Sequence, residues 1–495
     1  MKNSPTPPPF DRGSTTSING DRTLSDAYRY ISDDDIQTIV EKFCFLLGKL
    51  DFDEAQSHIE CHKLVTGHFS HPGDKIWQQL LLAISQIAQA ELSYFTLGFF
   101  STKFSFRKDP NQTRDLFTKI RQDLRRIDDN ASSPFSHPES INNVLRKKLV
   151  DHFCSYASAR IDMIAFYVGL QGKDWRSVVD ESAARLNAVK DVYSRSTPSP
   201  LNPQADLITR ELDILTKSFE LKKNLCRCIL LDSLLLLKEL RDIFSSFFHD
   251  LQPSSSTKPS TSGLFSFIKP AKSPQKFVLL VWLNSLYEAL LTKFSLYFSD
   301  VLSPYIPPSE LKIMQTTSPG LHSYFLYFSK KYSPITIAVV MCRGSEDAPF
   351  YGFGYHRLLQ NFPTPATQPL KDEYPVLVNV THEKQKGNYD TFKSKIDDCL
   401  SFCAKAAAAD AKPKYYLDKE KTSENTFFCT HIEWKLFLVI YFDKKVSEKD
   451  AAVLGFISDI VSSLRFTKLY QELKSPIRGA SNTTPGTTPP APKNM

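Results

Sequence analysis

The chain has 495 residues, 41% of them hydrophobic and 23% charged, with a formal net charge of +7, so it can build two or more domains and is too balanced for a fibrous or wholly disordered protein. No basic stripe interleaves with aromatics in the way single-stranded nucleic acid requires, while the mild positive charge permits an acidic partner or an anionic membrane surface. Nine cysteines follow no apolar leader, and they form C-x-C (Cys226, Cys228) and C-x-x-x-C (Cys399, Cys403) but no C-x-x-C, which argues against a zinc ribbon and for reduced thiols in the cytosol.

Residues 1–30 carry little to bury and are expected to be disordered. Ser32 with Asp35 reads as a helix cap before the periodic run Ile36, Ile39, Val40, Phe43, Leu46, Leu47. A short helix from Asp53 to about Val65 follows, then His71, Pro72 and Gly73, then a long helix from Asp74 to about Thr102. Glu91 and four glutamines in that stretch argue for a core helix against a membrane span. Further helices are expected from Asp109 through Ile127, from Pro138 through Tyr167, from Asp174 to Tyr193, from Leu207 to Leu221 and from Leu225 to Leu251. Asn130 to His137 and the proline-rich Ser194 to Pro203 separate them.

The segment Gln252 to Gln275 is basic, of low complexity and without acidic residues, which reads as a flexible insertion. Lys276 to Leu302 is apolar on nearly every side of a helical wheel, its stripe Ser285, Glu288, Thr292, Ser295, Ser299 being one residue wide. Asn284, Glu288 and Lys293 interrupt it too often for the ~20 apolar residues of a membrane span. It is therefore expected to be the last, central helix of the N-terminal domain. Two helices, Ser309 to Gln315 and Pro319 to Tyr332, precede a change of period. Strands are expected at Ile335 to Cys342, Tyr374 to Thr381, Pro413 to Leu417, Thr426 to His431 and Trp434 to Phe442, the last two joined by a tight turn at His431 to Glu433. A helix from Asp390 to Ala409 lies between them. Ser447 with Asp450 caps a helix through Leu464, and a short helix reaches Leu473 before a Pro/Thr tail.

The fold class is therefore α+β: an all-helical bundle domain over 31–305, with the insertion at 252–275, then a smaller α+β domain over 306–473 with a mainly antiparallel sheet, between disordered tails at 1–30 and 474–495.

Few residues point to chemistry. His58 and His62 lie one helical turn apart, with Cys61, His68 and His71 nearby, a spacing a metal could use in a metal-dependent hydrolase. The order is H-x-E-x-H and not H-E-x-x-H, so surface histidines are the simpler reading. Arg343 to Glu346 and Tyr351 to His356 could approach a phosphate or headgroup, but prolines follow where a helix N-terminus is needed. Cys399 and Cys403 share a face with Ile396 and read as core thiols. Arg121, Arg125, Arg126, Arg146, Lys147 and Lys148 could recruit an acidic partner or be solvated faces. Ser199, Ser273 and Ser475 are proline-directed sites in expected linkers, open to phosphorylation. No nucleophile elbow, catalytic-cysteine signature or phosphate-loop motif is present, and no catalytic residue, metal ligand or cofactor site is assigned.

Phe104 to Ile127 (FSFRKDPNQTRDLFTKIRQDLRRI), Ser158 to Tyr167 (SARIDMIAFY), Leu291 to Met314, Arg343 to Val380 with RGSE, GYH and YPVLVNV, and the closing FLVIYF and SEKD, in this order, resemble the KICSTOR complex subunit 2 family. The resemblance runs from about Phe43 to Leu473. It implies a non-enzymatic scaffold without cofactors, assembled with kaptin, an integrin-alpha FG-GAP repeat protein and a very large seizure-threshold protein. That complex holds the GTPase-activating GATOR complex at the lysosome, restraining the target-of-rapamycin kinase when amino acids or glucose are scarce. It further implies a cytoplasmic chain, bound to the lysosomal surface through its partners. The family supplies no catalytic residues to carry over, its partner-binding residues are left unassigned, and the histidines at 58 to 71 are not among its features.

Overall fold

The computed structural model describes residues 33–65, 72–100, 112–131, 143–170, 175–196, 207–250, 277–307, 309, 320–343, 350, 352–354, 372–381, 389–406, 412–419 and 424–473. Both tails, the 252–275 segment, the helix expected at Ser309 to Gln315 (of which only residue 309 is described) and the serines 199, 273 and 475 lie outside these residues.

Eight helices open the chain among the described residues: α1 (Asp33–Gly48), α2 (Phe52–Val65), α3 (Pro72–Phe95), α4 (Gln112–Ala131), α5 (Asn143–Leu170), α6 (Trp175–Ser196), α7 (Leu207–Cys226) and α8 (Leu230–Asp250). Each packs on its predecessor, as expected where short connections join amphipathic helices. Two ends, those of α3 and α7, fall elsewhere than the periodicity predicts. α1, α3 and α7 each close on a non-glycine residue in the left-handed region: Leu50 (φ 58°), Leu97 (φ 57°) and Cys228 (φ 56°). In each, the next amide reaches back five residues, Asp51 to the Leu46 carbonyl, Gly98 to Ser93 and Ile229 to Asn224, at 2.8 to 3.0 Å, which satisfies a terminal helix carbonyl. A Cβ on Gly98 would lie 2.4 Å from the Ser93 hydroxyl and 2.9 Å from its carbonyl oxygen, so only glycine fits there. The expected helix from Asp74 to Thr102 therefore stops at Phe95. The break expected before Leu225 falls instead at Arg227–Ile229.

α9 (Val278–Tyr297) is the buried helix expected from Lys276 to Leu302, shortened because Phe298 leaves the helix before α10 (Ser299–Leu302) and a 3-10 turn, Ser303–Tyr305. None of its residues is fully exposed. Its polar stripe is satisfied locally: Ser285, Thr292 and Ser295 donate to the carbonyls of Val281, Glu288 and Leu291 at 2.7 to 3.0 Å.

The remaining elements are α11 (Leu321–Tyr332), β1 (Thr336–Met341), β2 (Val376–Thr381), α12 (Tyr389–Ala406), β3 (Lys414–Lys419), β4 (Glu424–Glu433), β5 (Leu436–Phe442), α13 (Ala451–Leu464) and α14 (Thr467–Glu472). The five strands form one antiparallel sheet in the order β2-β1-β5-β4-β3. All residues of β1 and β5 are buried, because the sheet is covered on both faces. Ile337, Val339, Leu438 and Ile440 join the main core with α13. Their alternates Ala338, Val340, Val439 and Tyr441 meet Ile396, Cys399 and Leu400 of α12. An antiparallel sheet often leaves one face wet and shows alternation; α12 removes that constraint, and the strands read as unbroken apolar runs. Asp450 is itself the cap of α13, accepting from the amides of Ala452 and Val453 at 3.0 Å, while Ser447 holds the turn before it.

α9 is where the two parts meet. It packs against α3, α7 and α8, and also against α11, α14 and β2, so the earlier helices and the sheet with its helices wall it in together. The main core runs without a break from Ile36 to Leu473. Through it passes a seam of buried polar contacts. Trp282 Nε1 donates to the Leu469 carbonyl at 2.9 Å and Lys222 Nζ to the Tyr470 hydroxyl at 3.0 Å. Lys293, wholly buried, forms an ion pair with the equally buried Glu433 and donates to the Leu464 carbonyl at 3.2 Å. Tyr297 donates to Glu433 Oε1 at 2.9 Å and Cys226 Sγ to Oε2 at 3.1 Å.

The hairpin turn expected at His431 to Glu433 lies at Trp434 and Lys435 instead, after a β-bulge between His431 and Glu433. Glu433 stays in the strand because its carboxylate is held inward by Lys293. Removing one member of a buried ion pair typically costs about 3–5 kcal/mol. Lys293→Met is therefore expected to lower the unfolding free energy by roughly that amount in urea titrations. The double variant Lys293→Met with Glu433→Gln, whose amide oxygen still accepts from Tyr297, is expected to recover a large part of it.

Candidate functional site

The residues singled out from the sequence are mostly absorbed by structure. His58 Nε2 stands 3.2 Å from the Ile39 carbonyl of α1, and its ring meets that of His62 edge to face at 4.8 Å between centroids. Cys61 beside them is exposed, and His68 and His71 lie outside the described residues. Among the described residues no three His, Cys, Asp or Glu side chains gather in a way that could hold a metal ion. The hydrolase alternative built on His58 and His62 is thus not supported, since no third ligand joins them among the described residues, and His58 Nε2 serves to hold α2 to α1. Burial lowers the His58 pKa first, with positive charge at His62 and Lys42 acting in the same direction.

Arg343 anchors its loop. Its amide donates to the Glu373 carbonyl at 3.0 Å, Nη1 to the Asp372 carbonyl at 3.4 Å, and the guanidinium lies 5.0 Å from the Phe350 ring centre. Glu346, Tyr351 and His356 lie outside the described residues. Cys399 is buried beneath the sheet. The basic cluster is not one patch: Arg146 is buried against Asp128 at 2.7 Å, Arg121 donates to Ser158 at 3.3 Å, and Arg125, Arg126, Lys147 and Lys148 are exposed.

Sequence reasoning missed two interior charge clusters. In the first, Arg160 of α5, wholly buried, places Nε and Nη2 on the two oxygens of Glu91 at 2.6 and 2.8 Å and Nη1 on Glu211 Oε2 at 2.5 Å. Tyr94 and Tyr167 donate to Glu211 Oε1 at 2.8 and 2.6 Å. Burial pulls the Arg160 pKa down, but Glu91, Tyr156 and Glu211 outweigh it and hold the guanidinium well above its ordinary range. Burial pushes Glu91 up against the pull of Arg160. The second cluster is the Lys293–Glu433 seam. Burial opposes the Lys293 charge, and Cys226 and Glu433 restore it. The signal was present as isolated charges in apolar runs, Glu91 within 76–102 and Lys293 within 276–302, but nothing in the sequence pairs them with Arg160 or Glu433.

Both clusters are enclosed, with their donors directed at protein acceptors, which suits them to fixing helices and not to handling a substrate. The surface offers an open groove of about 520 Å³ between α4, α5 and α6, whose lining includes Val150, Val189 and Val192 together with Asp129, Asp151, Asp162 and Arg125. At the other surface of interest, the β4–β5 turn lifts Trp434 into solvent beside the α7–α8 corner.

Two outcomes check this description. Burial pushes the Cys226 thiol up to about 12, so iodoacetamide at neutral pH should label Cys61 in the native chain and reach Cys226, Cys228, Cys399 and Cys429 only on unfolding, as read by peptide mass mapping. His58 titrates below its unfolded value near 6.5. Its contribution to stability is complete above that value and is lost as pH falls through the lower folded pKa. His58→Gln should accordingly flatten the fall in melting temperature between pH 7 and 5.

Comparison with known proteins places the whole described architecture in one lineage. The family described as KICSTOR complex C12orf66 like matches residues 32–478. The chain is 25% identical over 452 residues to the KICSTOR subunit 2 of Danio rerio, covering 90% of this chain and 96% of that one. It is 24% identical over 448 residues to that of Xenopus laevis, covering 88% and 96%. The chain belongs to the KICSTOR complex C12orf66-like family.

Proposed function

We propose that this chain is a non-enzymatic scaffold subunit of a KICSTOR-like complex that recruits the GTPase-activating GATOR complex to lysosomes and negatively regulates target-of-rapamycin signalling under amino-acid or glucose starvation. The observation that carries this reading is the family match from residue 32 to 478, which takes in the helical part, the junction at α9 and the sheet together. The interior placement of the strongest charge clusters supports it, since they serve cohesion and leave surfaces to do the binding. The partners follow from the same resemblance: kaptin, an integrin-alpha FG-GAP repeat protein and a large seizure-threshold protein. No helix among the described residues is long and apolar enough to cross a membrane, and attachment to the lysosomal surface is proposed to run through these partners.

Affinity purification of the tagged full chain from its own cells, with lysosomal fractionation, tests the reading. Recovery of the three partners and of GATOR components on lysosomes, with target-of-rapamycin activity persisting in starved cells once the chain is deleted, is the expected result. A chain that recovers none of these proteins, or whose deletion leaves the starvation response intact, would sink the proposal.

A further inference from the structure

Trp77 and Trp282 are buried, whereas Trp434 is 46% exposed at the tip of the β4–β5 hairpin. Its φ of 43° is a left-handed conformation that a bulky residue rarely adopts and that a two-residue turn ordinarily gives to Asn or Gly. Strain of this kind persists only where the surroundings over-determine it, and it concentrates at functional positions. The tip is held from four directions. His431 Nε2 lies 2.9 Å from the Trp434 carbonyl, Arg465 donates to the carbonyls of Ile432 and His431 at 2.7 Å, the Cys342 amide donates to the Lys435 carbonyl at 2.8 Å, and Lys293 holds Glu433. An indole carried on so fixed a turn loses little freedom when a partner covers it.

The α7–α8 corner lies against the same hairpin and leads into a helix with exposed leucines and cations. The 3.1 Å contact from Cys226 to Glu433 sets the α7–α8 corner against the hairpin. From that corner α8 turns Leu234 (37% exposed) and Leu235 (46%) outward, followed at helical spacing by exposed Lys238 and Arg241. Arg227 is exposed at the corner, and Lys435 Nζ lies 5.3 Å from the Trp434 ring centre. Of the acids on α8 whose side chains are described, Glu239 is engaged by Lys217, Asp242 lies against Arg241 and offsets it, and Asp232 in the first turn is exposed. Arg227, Lys238 and Lys435 are then set against Asp232, which leaves positive charge in excess around the exposed apolar groups.

We propose that Trp434 and the outward face of α8 form a docking surface for a partner protein that offers an apolar cavity for the indole, rimmed by carboxylates. Aromatic anchors in a desolvated centre carry most of the energy of such interfaces, and the surrounding charges select the partner and speed its approach. This proposal rests on the scaffold reading and names the site through which it would act.

The test titrates the full chain against the purified remaining subunits of the complex. Trp434→Asn is the decisive variant, because asparagine accepts the left-handed turn and is expected to leave the melting temperature unchanged or raise it. Its affinity is expected to fall at least about 30-fold, the loss typical of a central anchor. Charge reversal by Arg227→Glu with Lys435→Glu is expected to slow association and to weaken its dependence on salt. A Trp434→Asn chain that binds like the wild type overturns the proposal and leaves the scaffold reading standing. So does a Trp434-dependent dimer of the isolated chain by sedimentation, since a second copy would then cover the face. A wild-type chain that binds none of the subunits overturns both.

Discussion

The ion pair between Lys293 and Glu433 is the contact on which the architecture turns. Each side chain is wholly buried, and either charge left alone in that interior would face a desolvation penalty of several kcal/mol. α9 can accept a lysine in its most buried stretch only because β4 delivers a carboxylate to it, and β4 can keep Glu433 inside its ladder only because α9 is there. The bundle and the sheet are thus mutually required at this point, and the single core from Ile36 to Leu473 follows from it.

The Arg160 cluster meets the same problem with different chemistry. Its planar guanidinium divides three directed hydrogen bonds between Glu91 of α3 and Glu211 of α7, and so dictates the rotation of three helices about their axes. Lys293, a point charge, is less directional, and the geometry at its site comes from Tyr297, Cys226 and the Leu464 carbonyl instead. Apolar packing alone tolerates several rotations of a helix; these two clusters admit one.

Hydrophobic period made most elements legible. The helices, the five strands and the buried character of α9 follow from spacing that burial enforces. Corners were less legible, because Leu50, Leu97, Cys228 and Trp434 take left-handed conformations that sequence reasoning reserves for glycine or asparagine. The partners of buried charges were illegible, since Glu91 and Arg160 are 69 residues apart and no local pattern joins them. At the candidate site, the His58 and His62 spacing was visible but the hold of His58 on α1 was not, since the Ile39 carbonyl it meets lies 19 residues away. Trp434 sits in the run HIEWKLFLVIYF, where an aromatic reads as core; only the displacement of the turn by two residues puts it outside.

The order of synthesis gives the junction a history. Tyr297 of α9 precedes its acceptor Glu433 by 136 residues, which at about 5–20 residues per second is roughly 7–27 s on the ribosome. Through that interval α9 is complete but Lys293 lacks the carboxylate it pairs with in the finished fold, so burying its ammonium is costly until β4 arrives. A nascent chain of this protein therefore carries α9 without the carboxylate that neutralises its lysine for many seconds.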